Sequence, residues 1–399
     1  MEKTDSLFLK AVSYGLKAQV MEEPFLSGEE WEMLLNRSIE QSLLPLVFEA
    51  VHPYLPKELE SRYRAITLSW IMRQVRSTDE FLKTYRALQQ QGIEPLVFKG
   101  IVCRNAYRLS DWRVSADEDI YVKQDDYMEL HRCLTDLGFK CREPNFRSEH
   151  ESIYYGKDLK LEGHWQIFPQ ENTMWEEMNT IAGGFTERAV RMEIDGVRIL
   201  TPDPTDHMIY LLLHAMKHFS LAGVGIRQIC DVTVWNSKYS IDWDRVRDTM
   251  TRVGGLTFAQ AVLDAGNRYF EMPMPEGWSR TDSTDLILDS LSGGVFGHSS
   301  QDRLHSAAIT SSSSAYGSST AFSILKAAFP SRAVMEINYP WVSKSPLLLP
   351  VGWGVRFLRY AKNMGRSISP MGSIRIGTRR MKLLKEYGIF QSQTQREKR

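Results

Sequence analysis

The chain changes its residue period at Glu94, and that switch restricts it to folds that join helical regions to a compact mixed α/β unit. From Lys57 to Gln91 there is neither proline nor glycine, so one long helix, or two nearly continuous ones, is expected there. Upstream, Leu9, Val12, Leu16 and Val20 return at three- and four-residue steps, and Ser27-Gly-Glu-Glu30 reads as a capped helix entry. Beyond Glu94, β-rich runs alternate with short helical ones. Strands are expected at Leu96–Phe98, Asp119–Val122, Phe139–Arg142, Ser152–Tyr155 and Leu159–Phe168, the last two forming a hairpin about Gly156-Lys-Asp158. Helices are expected at Ile101–Tyr107 and Asp125–Leu137, and a strand at Val197–Leu200 is expected to close the unit.

The expected order is a helical region over 1–92, an α/β domain over 93–200, a helical domain over 201–293, a flexible Ser/Gly-rich connection over 294–330, and a basic helical region over 331–399. This is an α+β chain. With 43% apolar and 25% charged residues it has the composition of a folded globular protein rather than a disordered one. Lysine plus arginine equal aspartate plus glutamate at 49 each, which disfavours nucleic-acid steering by the whole molecule. Cys103, Cys133, Cys141 and Cys230 have no zinc or redox spacing and read as reduced thiols. The Met1–Asp5 start lacks a leader pattern and no apolar run suits a membrane span, so a cytoplasmic protein is expected. Arg375, Arg379, Arg380 and Lys382 are read as a solvated helical face, because basic charges there are interspersed.

The chemistry concentrates after the switch. On a strand, Asp117 and Asp119 project from one face, about 7 Å apart, while Glu118 faces the other way. Two such carboxylates suit hard divalent ions. Glu118 is expected at a solvated strand edge, or on a strand less buried than its neighbours. A third acid is needed to hold an attacking hydroxyl and relieve it of its proton. In Lys160-Leu-Glu-Gly-His-Trp-Gln166, Glu162, His164 and Gln166 share one face, with Trp165 pointing inward on the other. Glu162 meets the aspartates only if its strand lies beside theirs.

Phe98-Lys-Gly100, Arg113-x3-Asp117-x-Asp119, Glu162-Gly-His164 and Leu213-His-Ala-Met-Lys-His218 with Asp231 together resemble a nucleotidyltransferase family of the DNA polymerase β superfamily. The resemblance implies a polymerase-β-like mixed sheet backed by helices. It also implies transfer of a nucleoside monophosphate from an NTP, expected to be ATP, to an acceptor hydroxyl, with Mg2+ or Mn2+ as cofactor. Asp117, Asp119 and Glu162 would be the catalytic and metal-binding acids. Gly100 would let the triphosphate approach a helix N-terminus, with Lys99 adding charge. Arg113 would contact phosphate or anchor the Asp loop. His214 and His218 have the i, i+4 spacing of zinc ligands, with His207 near the same stripe. Without an H-E-x-x-H glutamate they read instead, with Lys217, as cleft-lining residues that contact nucleotide or acceptor. A structural role for His218, hydrogen-bonded to Asp231, stays open. The rival readings are a non-catalytic nucleotide-binding or sensory module and a protein-interaction scaffold on the same fold.

Overall fold

The computed structural model describes residues 1–146, 149–169, 173–221, 223–294, 329–363 and 370–389. Most of the 294–330 connection, including Ser311–Ser314, and the final Arg396–Arg399 lie outside the described residues.

Helices α1 (Lys3–Leu16), α2 (Gly28–Glu40) and α3 (Leu44–Val51) lead into α4 (Lys57–Gln90), a single helix of 34 residues. The absence of any breaker lets α4 run that far. Ser27 caps α2 in a reciprocal box: its Oγ accepts the Glu30 N–H at 3.2 Å, and the Glu30 carboxylate accepts the Ser27 N–H at 2.8 Å. Such a cap contributes about 1 kcal/mol.

The central sheet has the order β1-β2-β4-β3, from β1 (Leu96–Phe98), β2 (Glu118–Tyr121), β3 (Glu151–Tyr155) and β4 (Lys160–His164). β1 runs antiparallel to β2, β3 antiparallel to β4, and β2 parallel to β4. A parallel pair needs a long crossover, which here carries α6 (Tyr127–Asp136) and the first arm of the β3–β4 hairpin. Phe139–Arg142 forms no strand and contributes one bridge, Lys140 to Tyr155. Val197–Leu200 is a strand, outside the central sheet. It belongs to β6 (Val197–Thr201), which pairs with β5 (Val190–Ile194) in a sheet of its own. The Asp195-Gly196 turn, with φ of 46° and 71°, has the doubly left-handed geometry that matches the twist of a tight hairpin.

Between β1 and β2 lies the short α5 (Gly100–Arg104), and α7 (Thr173–Gly183) precedes β5. Helices α8 (Pro204–Leu221), α9 (Ile226–Lys238), α10 (Trp243–Arg252), α11 (Leu256–Phe270) and α12 (Thr284–Gly293) follow. α1 packs on α3 and α11, and one cluster of buried apolar residues runs from Phe8 to Tyr387. The helix over Pro370–Glu386 joins that cluster through Leu383 and Leu384. Its basic face is therefore only partly solvated. Arg375, Arg379 and Lys382 are exposed, but Arg380 is buried, lies 3.6 Å from Asp289, and donates to the carbonyls of Leu221 and Phe219 at the open C-terminal end of α8. Among the described residues no helix is long and apolar enough to cross a membrane.

Candidate active site

The parallel pairing of β2 and β4 sets Asp119 directly opposite Glu162. Residues opposite one another across a ladder share a face, so both carboxylates project to the same side of the sheet, with His164 two residues beyond Glu162. Asp117 precedes β2 and joins them through Lys160, to which the spacing alone assigns no role: Lys160 Nζ lies 2.6 Å from Glu162 Oε1 and 3.3 Å from Asp117 Oδ2. Lys160 is two residues before Glu162 on the same strand, so the period of two held the signal. Asp119 is paired with Lys99 Nζ at 3.5 Å through Oδ2 and with His164 Nε2 at 3.3 Å through Oδ1.

Electrostatics split the acids. Burial opposes the charge on Asp119, but Lys99 and His164 outweigh it and hold its carboxyl well below the usual range. Burial, reinforced by Asp119 and Asp117, pushes Glu162 up to about 7. One acid stays ionised while its neighbour is poised near neutrality, a division of labour common at sites that bind cations and move protons.

The Asp loop is braced from both sides. Arg113 is fully buried and forks onto Asp231 of α9, with Nε 2.9 Å from Oδ1 and Nη2 2.6 Å from Oδ2, while Nη1 donates to Ser115 Oγ. Arg227, one turn earlier on α9, donates to the Val114 carbonyl at 2.8 Å, and Gln74 of α4 accepts the Ser115 N–H at 2.7 Å. Arg113 thereby ties the Asp loop to α9.

Glu118 is not solvated. It is buried, with Oε1 3.0 Å from Arg104 Nη2 and Oε2 accepting the Ile101 N–H at 2.6 Å. The first-turn N–H expected to meet a triphosphate is thus already occupied by a carboxylate of the protein. This also explains Gly100, at φ +23°: a Cβ there would stand 1.8 Å from Glu118 Oε2. Gly100→Ala is expected to lower folding stability by about 2–3 kcal/mol through overpacking and backbone strain, read from the denaturant midpoint. An unshifted midpoint would refute that account. Lys99, just before it, has φ 48° and ψ −119°, a strained conformation for a side-chain-bearing residue.

Helix α8 covers the acid-bearing face. His207 Nε2 accepts the Lys99 N–H at 3.1 Å, His214 Nε2 lies 3.0 Å from both Lys99 Nζ and His218 Nε2, and Lys217 Nζ is 3.5 Å from His150 Nε2. His214 and His218 therefore meet each other and a lysine, while Asp231 is bonded to Arg113 and to the Tyr107 hydroxyl at 2.6 Å. Trp165 points away from this face and packs edge-on against Tyr127 and Phe146, each at 4.7 Å. Burial holds His207 and His218 down to about 3, and burial with Lys99 holds His214 well below its ordinary value. These rings stay neutral when folded but bind protons below about pH 6.5 when unfolded. Their contribution to stability is therefore whole above that pH and is lost on acidification. The thermal midpoint should fall steeply from about pH 6.5 to about pH 4, with a shallower slope in His207→Gln. Equal slopes would exclude His207 as a contributor.

Among the described residues, two groups have donor atoms close enough to hold a metal: Asp119, Glu162 and His164, and His150, Glu151 and His164. The second was not anticipated, because it depends on the β3–β4 register. Comparison with curated proteins and with solved structures gives no match. A family model for an uncharacterised nucleotidyltransferase matches residues 27–271, a segment that includes both sheets, the braced Asp loop and the α8 wall. Because that match extends over more than half of the 399 residues, the chain belongs to this nucleotidyltransferase family, whose general activity is transfer of a nucleoside monophosphate from a nucleotide substrate.

Proposed function

We propose that the chain moves a nucleoside monophosphate from an NTP, ATP being the first candidate, to an acceptor hydroxyl on a polymerase-β-like sheet, releasing pyrophosphate. The observation that carries this reading is the Asp119–Glu162 pair across β2 and β4, with Asp117 tied to Glu162 through one ammonium group. Three carboxylates offer the oxygen donors that hard dications require. Lys160 Nζ, between Asp117 and Glu162, offsets part of the negative charge of that row. Asp119 and Glu162, whose oxygens lie with a His164 nitrogen within reach of one ion, would hold Mg2+, or Mn2+ in its place, with Asp117 adding charge from the same acid row through Lys160, and the ion would supply charge neutralisation to the triphosphate.

The remaining work falls to side chains. Glu162, poised near neutrality, takes the acceptor proton as the acceptor oxygen attacks the α-phosphorus. The bond from the α-phosphorus to its bridging oxygen breaks, and pyrophosphate leaves with that electron pair. Lys99 keeps Asp119 ionised, while Gly100 and Arg113 shape and brace the backbone that carries the acids. Lys217, His214 and His218 form the wall that meets nucleotide or acceptor from α8. Arg73 and Arg227 line a cleft of about 310 Å3 beside Ser115 and Ala116, adding positive charge on the outer side of the Asp loop.

The test is to incubate the full chain with ATP carrying a labelled α-phosphate and candidate acceptors, following pyrophosphate release and label transfer together. Mg2+-dependent release with transfer is the expected result. Lys160 in the gap also favours a second reading, a nucleotide-binding module without turnover. That reading predicts calorimetric binding of Mg-ATP with neither release nor transfer under any condition.

A further inference from the structure

The β3–β4 hairpin assembles a second donor set beside the carboxylate row. Glu151 and His164 are direct cross-strand partners. His150 is fixed next to them because its carbonyl accepts the N–H groups of Trp165 and Gln166, both at 3.2 Å. Glu151 Oε2 lies 3.3 Å from His150 Nε2 and 3.2 Å from His164 Nδ1. His164 Nδ1 is the informative atom. It is buried and has no hydrogen-bond partner, so its close approach to Glu151 lies off the line a hydrogen bond requires. The other ring nitrogen faces Asp119 Oδ1 at 3.3 Å. An imidazole whose Nε2–H is held by a carboxylate turns a lone pair outward at Nδ1, the arrangement that orients metal-bound histidines.

We propose that His150 Nε2, Glu151 Oε2 and His164 Nδ1 form a binding site for a transition-metal dication of the zinc type, distinct from the oxygen donors that suit Mg2+. Two imidazoles and one carboxylate select borderline ions over Mg2+, and three protein ligands leave a coordination position open. Lys217 Nζ, 3.5 Å from His150 Nε2, is the group the ion displaces. His164 touches both donor sets, so an ion here fixes the ring that contacts Asp119. None of this depends on the transferase reading, because ion binding is measurable without turnover.

The experiment titrates the full chain, stripped of metal by a chelator, with Co2+ in excess Mg2+, following visible absorption. One tightly bound equivalent with the intense bands of low-coordinate Co2+ is expected. His150→Gln and Glu151→Gln, which preserve size, should each weaken it at least about tenfold, while Asp117→Asn leaves it unchanged. Near-UV circular dichroism establishes that each variant is folded, and His150→Ala and Glu151→Ala replace any that is not. Absence of the bands from the native chain, equal affinity in all variants, or loss with Asp117→Asn alone overturns the proposal.

Discussion

Asp119→Asn should reduce pyrophosphate release by at least about 10^3-fold, close to 4 kcal/mol of transition-state stabilisation. The substitution keeps shape and removes charge where it matters most under the proposed reaction: Asp119 stands directly opposite Glu162 and is the acid held ionised by Lys99 and His164. Its loss also leaves Lys99 without its carboxylate in a buried setting, so reduced stability could mimic reduced catalysis. Asp117→Asn separates the two effects. Asp117 retains 19% of its side-chain exposure and, among the described residues, is paired with the ammonium of Lys160 alone, so its replacement should cost little stability while still removing an acidic oxygen from the row. Loss of release in both variants, with an unchanged melting midpoint in Asp117→Asn, is the expected pattern. Native-like release in both would remove these acids from the chemistry and leave nucleotide binding as the reading to pursue.

The helical half of the molecule was legible because its signals are local. A run without proline or glycine became α4, and Ser27 with Glu30 became a capping box. The period of two placed Asp119 and Glu162 on strand faces, but it carried no information on strand order. Whether the two acids meet is decided by the parallel register of β2 and β4, which depends on contacts far apart in sequence. Glu118 shows the same limit from the other side. Alternation directs it away from Asp119, yet only the return of α5 buries it against Arg104 and the Ile101 N–H. The hairpin of β5 and β6 was within reach of sequence reading, since Asp195-Gly196 is a turn signal between two runs. By contrast, the Arg113–Asp231 pair joins residues that no local pattern connects.

Asp231→Ala should destabilise the fold by about 3–5 kcal/mol, because it leaves the Arg113 guanidinium buried without a counter-charge. Both side chains are almost wholly buried, and the carboxylate accepts the Arg113 fork and the Tyr107 hydroxyl. Arg113→Met combined with Asp231→Leu should recover much of that loss, since the penalty comes from the uncompensated charge more than from the absent pair. Burial disfavours ionised Asp231, but Arg113, Arg227 and Tyr107 outweigh it and hold its carboxyl below the ordinary value. Its contribution is therefore present above the unfolded carboxylate range, near pH 3.9, and is lost as pH falls through the lower folded value. The double variant should lack that acid-dependent loss while the histidine-dependent one at higher pH persists. Function separates the roles further: if Arg113 is a brace for the Asp loop, the double variant can fold and still lose turnover, because Ser115 and the acids beyond it are no longer tethered to α9. Denaturant midpoints and pyrophosphate release measured on the native chain and both variants test this, and a single variant as stable as the native chain would show that the buried fork does not hold the loop.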